Sequence, residues 1–232
     1  MNNHKCVYDT ENTLKEIILL KSNLMITKKI KQPPNSREIV AHHEAGHAVL
    51  YFLFGYKVKS ITIDNDDVGS GFVDCTTYLP TGYLPIMSSN DLQELFNYDS
   101  GIVKVNLAKD LKRYAMICIA GYVAEYKYLK KRMPYGIICT DNPENDFSQV
   151  RNEVEKANRV LSEKKYNYLD INDWDKKTRR ELNKPAVWES VLDLANMLLG
   201  KKNGIIYTDE IESILSKRIT PYLQDIYNNR KF

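Results

Sequence analysis

The sequence predicts a mainly α protein with a small β-hairpin sheet, an α+β class. Three observations predict it. Apolar residues recur at three-to-four spacing over several long stretches, the pattern of amphipathic helices. β-rich runs are confined to residues 58–64 and 72–78, on either side of a loop rich in Asn, Asp and Gly. Hydrophobic residues make up 43% of the 232 and charged ones 27%, enough to bury an interior and too mixed for collagen-like or wholly disordered chains.

The elements follow in order. Residues 1–35 read as an N-terminal arm, with Ile17 to Leu20 as an apolar patch among lysines and Pro33-Pro34 closing it. Asn35 stands three residues ahead of Glu38, a capping-box pattern that opens a helix from about Arg37 to Phe54, with Gly55 as its stop. The hairpin comes next, and residues 79–101, containing Pro, Gly and Ser, read as irregular. Residues 107–133 form a helix whose apolar middle predicts burial, ended by Pro134. Pro143 suits the first turn of another helix, in which Phe147, Val150, Val154, Ala157 and Leu161 keep helical spacing.

Residues 162–184 are mostly polar and read as a surface excursion. Val187, Trp188, Val191, Leu192, Leu194, Ala195, Leu198 and Leu199 mark an amphipathic helix stopped by Gly200, and Thr208-Asp209-Glu210 opens a last one. The main domain is placed at 36–217, with 218–232 as a C-terminal tail.

Charge and cysteine content narrow the class. With 33 basic and 30 acidic residues the net charge is +3, which argues for neither nucleic acid nor an anionic membrane surface as partner. The lysine-rich segments 127–131 and 176–180 read as solvated faces. Cys6, Cys75, Cys118 and Cys139 lie far apart with no Cys-x-x-Cys pair, the usage of a reducing compartment. No signal-peptide pattern opens the chain, and no apolar run reaches the ~18–20 residues of a membrane span. A soluble, cytoplasmic protein is the expectation.

The chemistry concentrates in Ala41-His42-His43-Glu44-Ala45-Gly46-His47-Ala48-Val49, in the middle of the first strong helix. His43 and His47 are four apart, so both imidazoles leave one face and can meet a single zinc ion. Glu44 is turned about 100° away, where it can reach a water on that metal without being a ligand. A Lewis acid, an activated water and a carboxylate to carry the proton are the parts that peptide-bond hydrolysis needs. Gly46 costs up to ~1 kcal/mol against alanine in mid-helix, which makes sense where another backbone or a substrate comes close. His42 points elsewhere, towards a supporting role or the surface. A third ligand is needed, and position 53, where a further histidine would mark another zinc pattern, is Leu53. A carboxylate must therefore serve. Spacing leaves Asp64, Asp66, Asp67, Asp74, Glu125, Asp141 and Asp146 open.

The run His43 to Val49 resembles the zinc-peptidase domain of FtsH-type ATP-dependent proteases. Val58-Lys59-Ser60-Ile61-Thr62-Ile63 followed by Gly71-Phe72-Val73 is similar to that family's strand pair, and Ala120-Gly121-Tyr122-Val123-Ala124-Glu125 to its glycine-alanine-glutamate helix. Asn145-Asp146 resembles the segment that supplies the family's third ligand. Leu194-Ala195, Leu198-Leu199 and Thr208 to Ile211 are similar to its C-terminal helices. The resemblance covers about residues 36–217. It implies a zincin-like helical peptidase domain, with His43, His47 and Asp146 as zinc ligands, Glu44 as general base and Glu125 as a supporting carboxylate or reserve ligand.

The departures shape the expectation. Asp141-Asn142-Pro143-Glu144 replaces the family's small-residue approach to Asn-Asp, and Ala120-Gly121 stands for a double glycine. The sequence holds no membrane anchor, no ATPase module and no phosphate-binding loop, so the resemblance carries over hydrolysis and not unfolding. The expected activity is an ATP-independent zinc metallopeptidase acting on peptides or unfolded and flexible segments, its oligomeric state open. The hairpin edge could bind an extended peptide by main-chain hydrogen bonds, or simply cover the helix. The alternative class is a non-catalytic zinc-binding adaptor or regulatory module built on the same residues.

Overall fold

The computed structural model describes residues 36–64, 70–75, 94, 97, 101–131 and 171–229; side chains are not described at 36, 101–108, 171–172 and 224–229. The elements are α1 (Ser36–Leu53), β1 (Val58–Ile63), β2 (Gly71–Cys75), α2 (Gly101–Tyr128), α3 (Ile171–Leu182), α4 (Pro185–Gly200), β3 (Ile205–Tyr207) and α5 (Thr208–Asn229). Over the described residues the fold is mainly helical with one small antiparallel sheet, as the sequence predicts.

α1 is the centre of the domain, packed by α2, α4 and both strands of the hairpin. Its Ala41, Ala45, Ala48, Val49 and Leu50 are fully buried, and small alanines let the neighbouring helices approach. The helix ends as its glycine foretells. Gly55 has φ +88°, its N–H donates to Phe52, and the N–H of Tyr56 donates to Tyr51, the paired bonds of a Schellman cap. Asn35, the expected N-cap, lies outside the described residues.

The sheet has the order β2-β1-β3. β1 pairs antiparallel with β2, with Ile61 opposite Val73, and with β3, with Ser60 opposite Tyr207. Ile61 and Ile63 turn fully into the core, the alternation that a one-sided sheet requires. β3 is absent from the sequence reading, because three residues between Gly204 (φ +67°) and a helix are too few to display a period of two. Its place is fixed by tertiary pairing, including Ile63 N–H donating to Gly204 O at 2.9 Å.

α2 carries the buried middle that its apolar run predicts, from Ala115 through Ala120 and on to Val123 and Ala124. It starts at Gly101, earlier than expected, and stops at Tyr128 rather than at Pro134. Lys130 in the left-handed region (φ 51°) ends it first. A Cβ on Gly46 would lie 2.7 Å from the Ala120 carbonyl oxygen and from Ala124 Cβ, so the mid-helix glycine is where α1 and α2 cross.

The polar stretch 162–184 is not wholly a surface excursion. Residues 171–182 form α3, with Trp174, Thr178 and Leu182 buried on one stripe four residues apart. One inward position per turn, the middle one a threonine whose hydroxyl donates to Trp174 O at 2.8 Å, hides the apolar period. The lysine-rich segments are likewise not simply solvated. Lys127 donates to Leu182 O at 2.6 Å and lies 4.3 Å from the Trp188 ring centre, and burial lowers its pKa.

α4 packs Val187, Val191, Leu194, Ala195 and Leu198 inward, and Pro185 occupies its first turn. α5 buries Ile211, Leu215 and Ile219 and continues past residue 217, so residues 218–229 extend a domain helix rather than form a separate tail. Arg218 fastens it to α4, 2.5 Å from Asp193 and also in contact with Glu189. Among the described residues, no helix is long and apolar enough to cross a membrane.

Candidate metal centre

α1 places its histidines against α2. His47 is buried, and its Nδ1 lies 2.7 Å from the carbonyl oxygen of Ile117. A carbonyl only accepts, so Nδ1 carries the proton and the ring's lone pair is on Nε2. His43 meets a carboxylate instead: its Nδ1 stands 3.4 Å from Glu125 Oε2, a long contact that favours the same tautomer.

The two Nε2 atoms lie close to the same point beside Gly121. A Cβ built on Gly121 would lie 2.4 Å from His43 Nε2 and 2.4 Å from His47 Nε2. The rings are 4.8 Å apart, centre to centre, at 74°. A side chain at 121 would crowd both rings, His43 Cδ2 at 2.5 Å as well as the two nitrogens. This arrangement suits zinc, which takes imidazole nitrogens at ~2.0–2.1 Å with each ring held from behind.

Glu44 is buried on the next position of the helix. Its carboxylate lies over β2, where a Cβ on Gly71 would come within 2.6 Å of Oε1. Gly71 thus leaves room for the acid, a role that the sequence gives no sign of because it depends on how the hairpin folds over α1.

His42 belongs to a different group and is not on the surface. Its Nδ1 is 2.6 Å from Glu38 O, and its ring stacks on Tyr128 at 3.7 Å. The Tyr128 hydroxyl donates to the Glu38 carboxylate. Burial lowers the His42 pKa, the Glu38 carbonyl partly opposing it, so the ring is a neutral tie between α1 and α2.

The carboxylates that the sequence leaves open as a third ligand are distributed as follows. Asp146, Asp141, Asp66 and Asp67 lie outside the described residues. Asp64 is exposed, and Asp74 lies 3.5 Å from Lys59 on the solvent side of the hairpin. Glu125 contacts His43 at Nδ1, across the ring from the nitrogen that faces Gly121, which is the place of an orienting carboxylate. Among the described residues no three His, Cys, Asp or Glu side chains are grouped to hold a metal ion. No protein-family model matches this chain, and no curated protein matches it. The residues alone carry the functional reading.

Proposed function

We propose that this chain is a zinc metallopeptidase of the FtsH-type kind, hydrolysing peptides and unfolded or flexible segments without ATP. The observation that carries the reading is the convergence of His43 Nε2 and His47 Nε2 over Gly121, one residue along the helix from the buried Glu44. His43 and His47 would hold the zinc, with Asp146 as the third ligand that the sequence resemblance implies. Zinc, when bound, supplies a Lewis acid and lowers the pKa of water to ~7. Ile117 O and Glu125 fix the two rings from their Nδ1 sides. The Glu44 carboxylate accepts the proton of the attacking water and returns it to the leaving amine nitrogen.

β2 gives the substrate a place to lie. Among the described residues it is an edge strand, and the same strand that covers Glu44 with Gly71 exposes 64% of Phe72. An extended peptide paired to its outer edge would run beside the acid, its side chains meeting Phe72.

Metal removal tests the reading. Chelation should abolish cleavage of an unstructured polypeptide, and one equivalent of zinc should restore it. In Asp146→Ala, zinc should bind weakly and restore little. Cleavage that survives chelation would overturn the reading, and zinc bound at one equivalent without any cleavage would favour the non-catalytic adaptor.

A further inference from the structure

A cavity of about 250 Å³ opens between α2 and α3, apart from the histidine pair. Lys109, Lys112 and Arg113 line it from α2, and Lys177 and Arg180 face them from α3. Phe54 and Met116 add an apolar floor, and Glu181 is the acid in the lining. A chain with a net charge of only +3 gathers five cations around one small space.

Among the described residues, the acids on and beside the lining also pair with other cations. Glu181 lies 2.5 Å from Lys184, Asp173 lies 3.8 Å from Lys176, and Asp175 pairs with Arg179 at 2.9 Å. Asp110 sits 3.4 Å from Arg113. Lys112 and Lys177 line the same cavity from facing helices, and the Lys112 pKa is lowered, first by burial and then by Lys177 and Arg180, with Asp173 opposing. Two ammonium groups brought together on separate helices repel, and a shared anion between them would remove that cost.

We propose that this cavity binds a phosphomonoester dianion. Five cations lining one small cavity from two helices call for a compact ligand with two charges and several acceptor oxygens, which a single carboxylate does not offer. Lys109, Arg113 and Arg180 supply further donors around the rim, and the Phe54–Met116 floor receives the organic part of the ester. The volume holds a small phosphorylated group and excludes a nucleic-acid duplex.

Calorimetric titration with glycerol phosphate at constant ionic strength tests it, beside vesicles of phosphatidylcholine with and without phosphatidic acid. The soluble ester should bind if the source is a metabolite, and the phosphatidic acid vesicles if it is a lipid headgroup. Either binding should weaken roughly tenfold or more in Lys112→Gln/Lys177→Gln and severalfold in Arg180→Gln. It should be unchanged in Lys217→Gln, an exposed lysine on α5. Circular dichroism shows whether each variant is folded. The proposal is overturned if wild type binds neither probe, if the folded variants bind as wild type, or if Lys217→Gln loses as much. Poly-glutamate binding as tightly, with the same losses, would reassign the cavity to acidic peptides.

Discussion

His47 Nδ1 lies 2.7 Å from the carbonyl oxygen of Ile117, and this bond ties the imidazole to the helix that carries Gly121. Its neighbour His43 is held from Glu125, so the two rings reach α2 through different partners yet turn the same nitrogen to the same place.

Gly121→Ala puts a methyl group 2.4 Å from both Nε2 atoms. The rings must part, and zinc ligands tolerate only ~0.2 Å of displacement. Zinc affinity should fall about tenfold or more while the far-ultraviolet circular dichroism spectrum is kept. Competition with a chromogenic chelator measures it.

Gly46→Ala makes a different clash, against the Ala120 carbonyl at 2.7 Å, where backbone rather than side-chain tips must move. Overpacking of this kind costs about 1–3 kcal/mol, so urea unfolding should shift to a lower midpoint. Comparison with Gly121→Ala separates a glycine needed for helix packing from one that makes room for the two imidazoles.

Glu125→Gln keeps the size of the side chain and removes its charge. Loss of an orienting carboxylate typically costs 10–100-fold in metal affinity, and that range is expected here. Zinc bound as tightly as in wild type would show that the 3.4 Å contact with His43 has no bearing on the metal.

Trp174 on α3 is 1% exposed, whereas a surface excursion would leave it in solvent. Trp174→Ala should lower stability by about 3–5 kcal/mol, read from denaturant unfolding. An effect under about 0.5 kcal/mol is that of a surface position.

Tyr56 is buried behind α1, and desolvation, with Asp110 adding to it, pushes its pKa up to about 12. Its native pKa exceeds the unfolded value of 10.0, so the stability it contributes is complete below pH 10 and is lost as pH rises towards 12. Stability measured across that window should fall more steeply in wild type than in Tyr56→Phe.

The parts legible in the sequence are those that a local period determines. A spacing of four puts His43 and His47 on one face whatever surrounds them, and a mid-helix glycine at 46 announces a close neighbour. Hidden were the features set by the meeting of distant segments. Nothing in Gly71 signals that Glu44 lies over it, and nothing in Ile117 marks its carbonyl as the partner of His47. α3 escaped because Thr178 interrupts its apolar stripe, and β3 because it is three residues long. His42 was legible only as a residue off the ligand face; its stacking on Tyr128 depends on how α1 meets α2.

The most direct measurement compares cleavage of an unstructured polypeptide, without ATP, by wild type and Glu44→Gln, with the zinc content of both samples determined. Both proteins should hold about one zinc per chain, as a single three-ligand site requires, and only wild type should cleave. Equal cleavage by the two, or a chain that binds no zinc, would contradict a peptidase built on His43, His47 and Glu44.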